Sequence, residues 1–170
     1  GVAWYQKKVT IPSNWRGERI TLFLERPHIE TTVWVNQQKL GMQNSLCVPH
    51  VYDLTSAVTP GKTCLITIRI DNRIKEINVG PDSHSITDQT QGNWNGIVGR
   101  IELQATPKVH FEDIQIYPDL RNQKALVRMN IQSASSTKGD ITLSAESFNA
   151  DTQHKVAPVQ QSFRIRPGDN

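Results

Sequence analysis

Apolar side chains at every second position most strongly constrain how this 170-residue chain can fold. In the clearest run Cys64, Ile66, Ile68 and Ile70 alternate with more polar neighbours. The same alternation is found in further segments, at 20–24, 32–36, 101–103, 114–116, 125–131, 141–145 and 163–165. A period of two is typical of antiparallel strands that place one face on a core, and no segment shows a helical period over three turns. The sequence therefore predicts an all-β protein.

A change of pattern near Pro107 predicts two units, 1–107 and 108–170. Short strands with frequent turn residues on both sides are typical of β-sandwiches, and Lys-Gly-Asp at 138–140 is one of the predicted turns. The second unit has only 63 residues, whereas an immunoglobulin-like sandwich needs about 100. We therefore expect the second sandwich to be truncated.

Composition argues against two classes of partner. The chain has 19 Lys and Arg against 16 Asp and Glu, but the basic residues are scattered and the longest basic stretch is Lys7-Lys8. Nucleic-acid-binding domains concentrate such charge on one face, so no nucleic-acid partner is expected. No run of about 18 apolar residues exists, so no membrane span is expected. A start at Gly1 without Met or a signal peptide suggests an excised or processed chain.

Common catalytic and metal-binding motifs do not fit the sequence. Asp82-Ser83-His84 holds the residue types of a hydrolase triad, but neighbours in sequence rarely assemble one and no Gly-x-Ser-x-Gly elbow is present. The five histidines are too dispersed for a metal site: His28, His50, His84, His110 and His154. No phosphate-binding glycine loop occurs, so no metal and no cofactor is predicted. Whether Cys47 and Cys64 form a disulfide is left open.

A long connection at 72–97 interrupts the strands. It is rich in Gly, Asp, Asn, Ser, Thr and Gln, and loops of this length are usually functional or disordered. A tryptophan that stacks on a sugar ring and amides that bind its hydroxyls lie close together at 91–95. The glutamates that glycosidase chemistry would need lie mostly on polar strand faces: Glu25, Glu30, Glu76, Glu102, Glu112 and Glu146.

Seven segments of the first 107 residues follow one another in a characteristic order. They are AWYQKKVTI at 3–11, LFLE at 22–25, TVWVN at 32–36, YDLT at 52–55, VTPGKTCL at 58–65, IRIDN at 68–72 and DQTQGNWNGIVGRIEL at 88–103. Together they resemble the N-terminal sugar-binding domain of glycoside hydrolase family 2, the family of β-galactosidases, β-mannosidases and β-glucuronidases. The last segment is the most specific.

This resemblance implies a jelly-roll domain over 1–107 and the start of an immunoglobulin-like domain over 108–170. In the family a TIM barrel follows and carries both catalytic glutamates, whose signature sequences do not occur here, so no catalytic residue is assigned. The implied partners are a β-glycoside substrate and the parent enzyme's own barrel. The loop that reaches the sugar subsite matches 88–96. The substrate-binding residues implied there are Asp88, Gln91, Asn93, Trp94 and Asn95.

The leading interpretation is a non-catalytic N-terminal part of a family 2 β-glycosidase, in the first place a β-galactosidase. Gly92 stands where some β-galactosidases carry an acidic residue, so a sodium-binding role at that position is not expected. Two alternatives are a free-standing, lectin-like carbohydrate-binding module and a structural sandwich pair that mediates protein contacts. A periplasmic or secreted location is expected.

Overall fold

The computed structural model describes residues 1–46, 48–73, 95–133, 135–144, 146–149, 152–155 and 157–165. Thirteen strands lie in these ranges: β1 (Val2–Thr10), β2 (Arg19–His28), β3 (Glu30–Val35), β4 (Gln38–Asn44), β5 (His50–Asp53), β6 (Thr63–Asp71), β7 (Gly96–Thr106), β8 (His110–Asp119), β9 (Lys124–Gln132), β10 (Thr137–Leu143), β11 (Glu146–Asn149), β12 (Thr152–Lys155) and β13 (Val159–Ile165). The described residues contain one 3-10 turn, Ser13–Trp15, no α-helix, and no helix that could span a membrane. The all-β prediction is confirmed.

The chain divides into two compact units, Gly1–Thr106 and Pro107–Asn170. In the first unit, β1, β6, β3 and β4 form a four-stranded antiparallel sheet in that order. A second antiparallel sheet has the order β5, β2, β7. Inward residues of both sheets belong to one hydrophobic cluster, so the unit is a β-sandwich.

The predicted alternation on β6 defines one wall of this core. Cys64, Ile66, Ile68 and Ile70 are between 2% and 7% exposed, as their spacing predicts, and they pack in one cluster with residues of β2. Cys64 is a free thiol, and burial raises its pKa. Cys47 lies outside the described residues.

A buried histidine at the start of β5 interrupts the apolar core. His50 is 0% exposed, and its Nδ1 lies 2.6 Å from the hydroxyl of Thr31, which also lies 2.6 Å from the Tyr52 hydroxyl. The other ring nitrogen, Nε2, donates a hydrogen bond to the carbonyl of Ser45 at 3.1 Å. Burial lowers the pKa of His50, because the cation loses hydration there.

A β-bulge distorts the pairing of β2 with β7. Leu24 is opposite Ile101 and Arg26 is opposite Val98, so the two residues between 98 and 101 face Glu25 alone. The backbone N–H and Nε of Arg100 donate to Glu25 Oε2 at 2.9 and 3.1 Å. These bonds lower the pKa of Glu25.

Gly99 allows this bulge for two reasons. Its φ of +85° lies in the region that L side chains rarely adopt, and a Cβ there would lie 2.7 Å from the carboxyl carbon of Glu25. The bulge therefore needs a residue without a side chain.

In the part of the first unit that the structure describes, no strand joins the two sheets at one side of the sandwich. Among the described strands, β1 pairs only with β6 and β7 pairs only with β2, so the two free edges border a cleft of about 670 Å³. Tyr5 and Ile101 line it and are 45% and 52% exposed, although both occupy inward positions of their strands. Lys7 also lines the cleft, paired on β6 with the buried Ile66.

The second unit contains three two-stranded sheets among its described residues: β8 with β9, β10 with β13, and β11 with β12. The turn predicted at 138–140 is wrong, because these residues lie inside β10. Gly139 is opposite Phe163, whose ring occupies the space that a side chain at 139 would need. Large apolar residues such as Ile116 and Leu126 are more than half exposed. Truncation of an immunoglobulin-like domain stays a prediction.

Candidate functional site

Four of the five predicted substrate-binding residues, Asp88, Gln91, Asn93 and Trp94, lie outside the described residues. The fifth, Asn95, is exposed and immediately precedes β7. Its side-chain carbonyl accepts a hydrogen bond from Nδ2 of Asn72, the residue that follows β6. This bond joins the two ends of the long connection, which was predicted at 72–97 but ends before β7, since Gly96 and Ile97 belong to that strand.

A buried carboxylate fixes the end of β6. Asp71 is 0% exposed, and its Oδ2 accepts hydrogen bonds from Arg69 at 2.8 Å and from Arg73 at 2.7 Å. Its Oδ1 accepts the Arg73 backbone N–H at 3.1 Å and Nε at 2.8 Å. Arg69 also binds Oε1 of Glu30 on β3 at 3.0 Å. These charge-assisted bonds tie the first residues of the connection to two strands.

The charged side chains at the end of β6 form ion pairs. The hydrogen bonds and charge of Asp71 raise the pKa of Arg73, whose side chain is 57% exposed. The carboxylates of Asp71 and Glu30 accept hydrogen bonds from arginines, so we assign them a role in positioning the chain. The amide of Asn72 is engaged at both ends, by the Gly1 amino group and by Asn95, whereas the side chain of Asn95 is exposed. No group of three metal-ligating side chains occurs within the described ranges.

Sequence reasoning missed the ion-pair network. Arg69, Asp71 and Arg73 alternate in sequence and therefore lie on one face of the strand and its extension. This Arg-x-Asp-x-Arg spacing was the available signal, since a carboxylate flanked by two guanidiniums on one face can be buried. Glu25 and Glu30, which the sequence places on polar strand faces, each bind an arginine.

Comparison with known proteins identifies the family. The family model for the sugar-binding domain of glycosyl hydrolases family 2 matches residues 1–107. This chain belongs to that family.

Relatives of this family 2 chain are much longer proteins. A β-glucuronidase of Paenibacillus borealis is 23% identical over 155 residues, which are 83% of this chain and 26% of that protein. A β-galactosidase of Priestia megaterium is 22% identical over 170 residues, covering 96% of this chain and 16% of that protein. The family 2 chain thus spans about a quarter or less of the relatives it matches here.

Solved structures show the same fold. The crystal structure of a Bacteroides uniformis β-glucuronidase superposes with a TM-score of 0.77 at 19% identity, covering 99% of the family 2 chain and 20% of that structure. At this level of identity the likeness bears on fold and not on specificity.

Proposed function

We propose that this chain forms the N-terminal, non-catalytic part of a family 2 β-glycosidase, in which residues 88–95 line the sugar subsite. The supporting observation is that the two ends of the connection are bonded to each other. Asp71 fixes its first residues, and the bond between Asn72 and Asn95 holds its two ends together. Loops that carry binding residues are commonly held by a rigid scaffold in this way.

The residue types in this segment suit one wall of a sugar subsite. The indole of Trp94 can stack on the C–H face of a pyranose ring, and amides such as Gln91, Asn93 and Asn95 can bind its hydroxyls. Asp88 adds an acceptor-only carboxylate. In the proposed parent the barrel supplies the acid/base and the nucleophile, and this wall positions the sugar between them.

A β-galactoside is the proposed substrate. The β-galactosidase relative aligns with 96% of the chain, and a putative β-glucuronidase of Formosa agariphila aligns with the same share. A β-glucuronide is the competing choice, since the P. borealis relative is a β-glucuronidase. Assays of the parent enzyme with the nitrophenyl derivatives of both sugars decide between them.

Kinetics and melting of one variant of the parent enzyme test the proposed wall. We expect Trp94→Ala to lower kcat/KM at least about tenfold while Tm stays within the error of measurement, because a wall residue contacts substrate and not core. Asn95→Ala should lower kcat/KM by less, and Asn44→Ala, an exposed amide at the end of β4, is the matched control. A large loss of Tm with normal kcat/KM would show that Trp94 is a packing residue and would reject the proposal.

A further inference from the structure

Two tryptophans contact each other on the outer face of the four-stranded sheet. Trp4 on β1 is opposite Arg69 on β6, and Trp34 on β3 is opposite Thr67, the next residue of β6 on that face. The two indoles therefore meet above β6, with ring centroids 5.4 Å apart and ring planes at 32°. Thr67 beneath them is only 7% exposed although it faces away from the core.

One indole of this pair is exposed, and the other, that of Trp34, is half-buried. Trp4 is 59% exposed, and Met42, which lies in the same row of the sheet through its pairing with Thr32, is 53% exposed. Strands normally turn polar side chains outward, so an exposed stacked indole on this face has no role in the core. Accessible aromatic groups of this kind commonly mark a site for a ligand or partner.

Polar side chains border the pair directly. Nε2 of Gln6 donates to the Thr67 hydroxyl at 3.0 Å, a bond that uses one of the amide's several hydrogen-bonding positions. Lys39 is opposite Trp34 on β4, and Lys8 lies one outward position beyond Gln6 on β1. The aromatic surface is thus bounded by an amide and two ammonium groups. On its other side, opposite Trp4, lies Arg69, whose charge is paired with Glu30 and Asp71.

We propose that this surface, formed by Trp4, Trp34, Gln6, Lys8 and Lys39 and named the tryptophan face, binds a polysaccharide chain that contains uronic acid units. Indole rings accept the C–H faces of pyranoses, the amide binds hydroxyls, and the lysines pair with carboxylates. No residue of 88–95 belongs to the tryptophan face, so this proposal does not rest on the proposed function.

The width of the apolar surface favours a sugar chain over a protein partner. An aromatic side chain can bury roughly 150–250 Å², so two tryptophans contribute at most about 500 Å². A stable protein interface buries about 800 Å² on each side around an apolar centre. A narrow aromatic strip with polar borders suits a ligand one sugar ring wide, and Lys8 and Lys39 favour an anionic one.

Calorimetric titration of the 170-residue chain with two matched hexasaccharides tests the tryptophan face. The probes are β-1,4-linked mannuronate hexasaccharide and neutral β-1,4-mannohexaose. We expect the acidic probe to bind at least about fivefold more tightly, and Trp4→Ala to weaken both probes roughly fivefold to tenfold. The double variant Lys8→Gln/Lys39→Gln should remove the preference for the acidic probe, because it weakens that probe at least about fivefold more than the neutral one.

Tyr117→Ala is the control, because Tyr117 is an exposed aromatic residue of the second unit. If Trp4→Ala lacks a native melting transition, Trp4→Phe, which keeps a ring, and the lysine variant decide. Failure of both probes to bind, or equal effects of the Trp4 and Tyr117 variants, would overturn the proposal. So would self-association in light scattering that Trp4→Ala abolishes without any sugar binding, since the tryptophan face would then be a protein interface.

Discussion

Ile68 and Ile101 both occupy inward positions of the first sandwich, but only one of them is surrounded by other side chains. Ile68 is 6% exposed and Ile101, at the open side, is 52% exposed. Ile68→Ala should lower the free energy of unfolding by about 2 to 5 kcal/mol, because it leaves a cavity in a packed wall. Ile101→Ala is the matched control and should cost less than about 1 kcal/mol. Urea denaturation measures both, and equal losses would mean that the cleft is filled in solution.

His50 makes the stability of the first unit depend on pH. Its pKa in the folded state is lowered by burial from the ordinary value of 6.5, so the unfolded chain binds a proton at a higher pH than the folded chain does. The free energy of unfolding should therefore fall as pH decreases below 6.5, by at most about 1.4 kcal/mol per pH unit for this one group.

The slope of unfolding free energy between pH 6.5 and about 5 is the measurable quantity, because Asp and Glu titrate mostly below that window. His50→Gln should flatten this slope. An unchanged slope in the variant would show that the burial of His50 does not control it.

At the scale of the element, the end of β6 depends on one carboxylate. Asp71→Asn should cost about 3 kcal/mol or more, since it neutralises a buried carboxylate that accepts hydrogen bonds from both Arg69 and Arg73. Asp53→Asn is the control, because Asp53 forms a surface pair with Arg19 at 3.4 Å and is 55% exposed, and it should cost less than about 1 kcal/mol. Thermal unfolding of both variants provides the comparison, and similar losses would contradict a special role for Asp71.

Strands were predictable because alternation is a local property of the sequence, as on β6, where every inward residue is buried. The turn at 138–140 was wrongly predicted because the ring of Phe163, distant in sequence, gives Gly139 a packing role that local composition does not contain. The bulge at Glu25 escaped prediction for a similar reason, since it needs the register of β2 against β7.

The candidate site was predictable only in part. Residue types at 91–95 indicated sugar chemistry, but the buried state of Asp71 depends on where β3 places Glu30 beside Arg69. Alternation at 32–36 puts Trp34 on the face opposite Val33 and Val35, but its contact with Trp4 depends on the strand order of the sheet. The alternation of apolar residues along one strand does not determine which distant strand pairs with it.

For the whole molecule, we expect the 170-residue chain to show no turnover of nitrophenyl β-galactoside. In the proposed parent enzyme both catalytic glutamates lie on a barrel, and a single wall would cover little of a sugar's surface. Galactose should bind with a Kd no tighter than about 1 mM. The parent enzyme in the same assay is the positive control. Activity that co-purifies with the 170-residue chain would refute the proposal that this chain is non-catalytic.

The open side of the sandwich also bears on how concentrated the protein can become. A strand of another molecule could extend the sheet at β1, but closing over the cleft would strip water from the ammonium of Lys7 beside Ile66. Lys7→Leu should therefore lower the concentration at which solutions turn turbid and filaments form. Lys8→Leu, altered on the opposite face of the same strand, should leave that solubility limit near that of the unmodified chain. Lys7 thus opposes the addition of a foreign strand at the place where apolar side chains of the core are accessible.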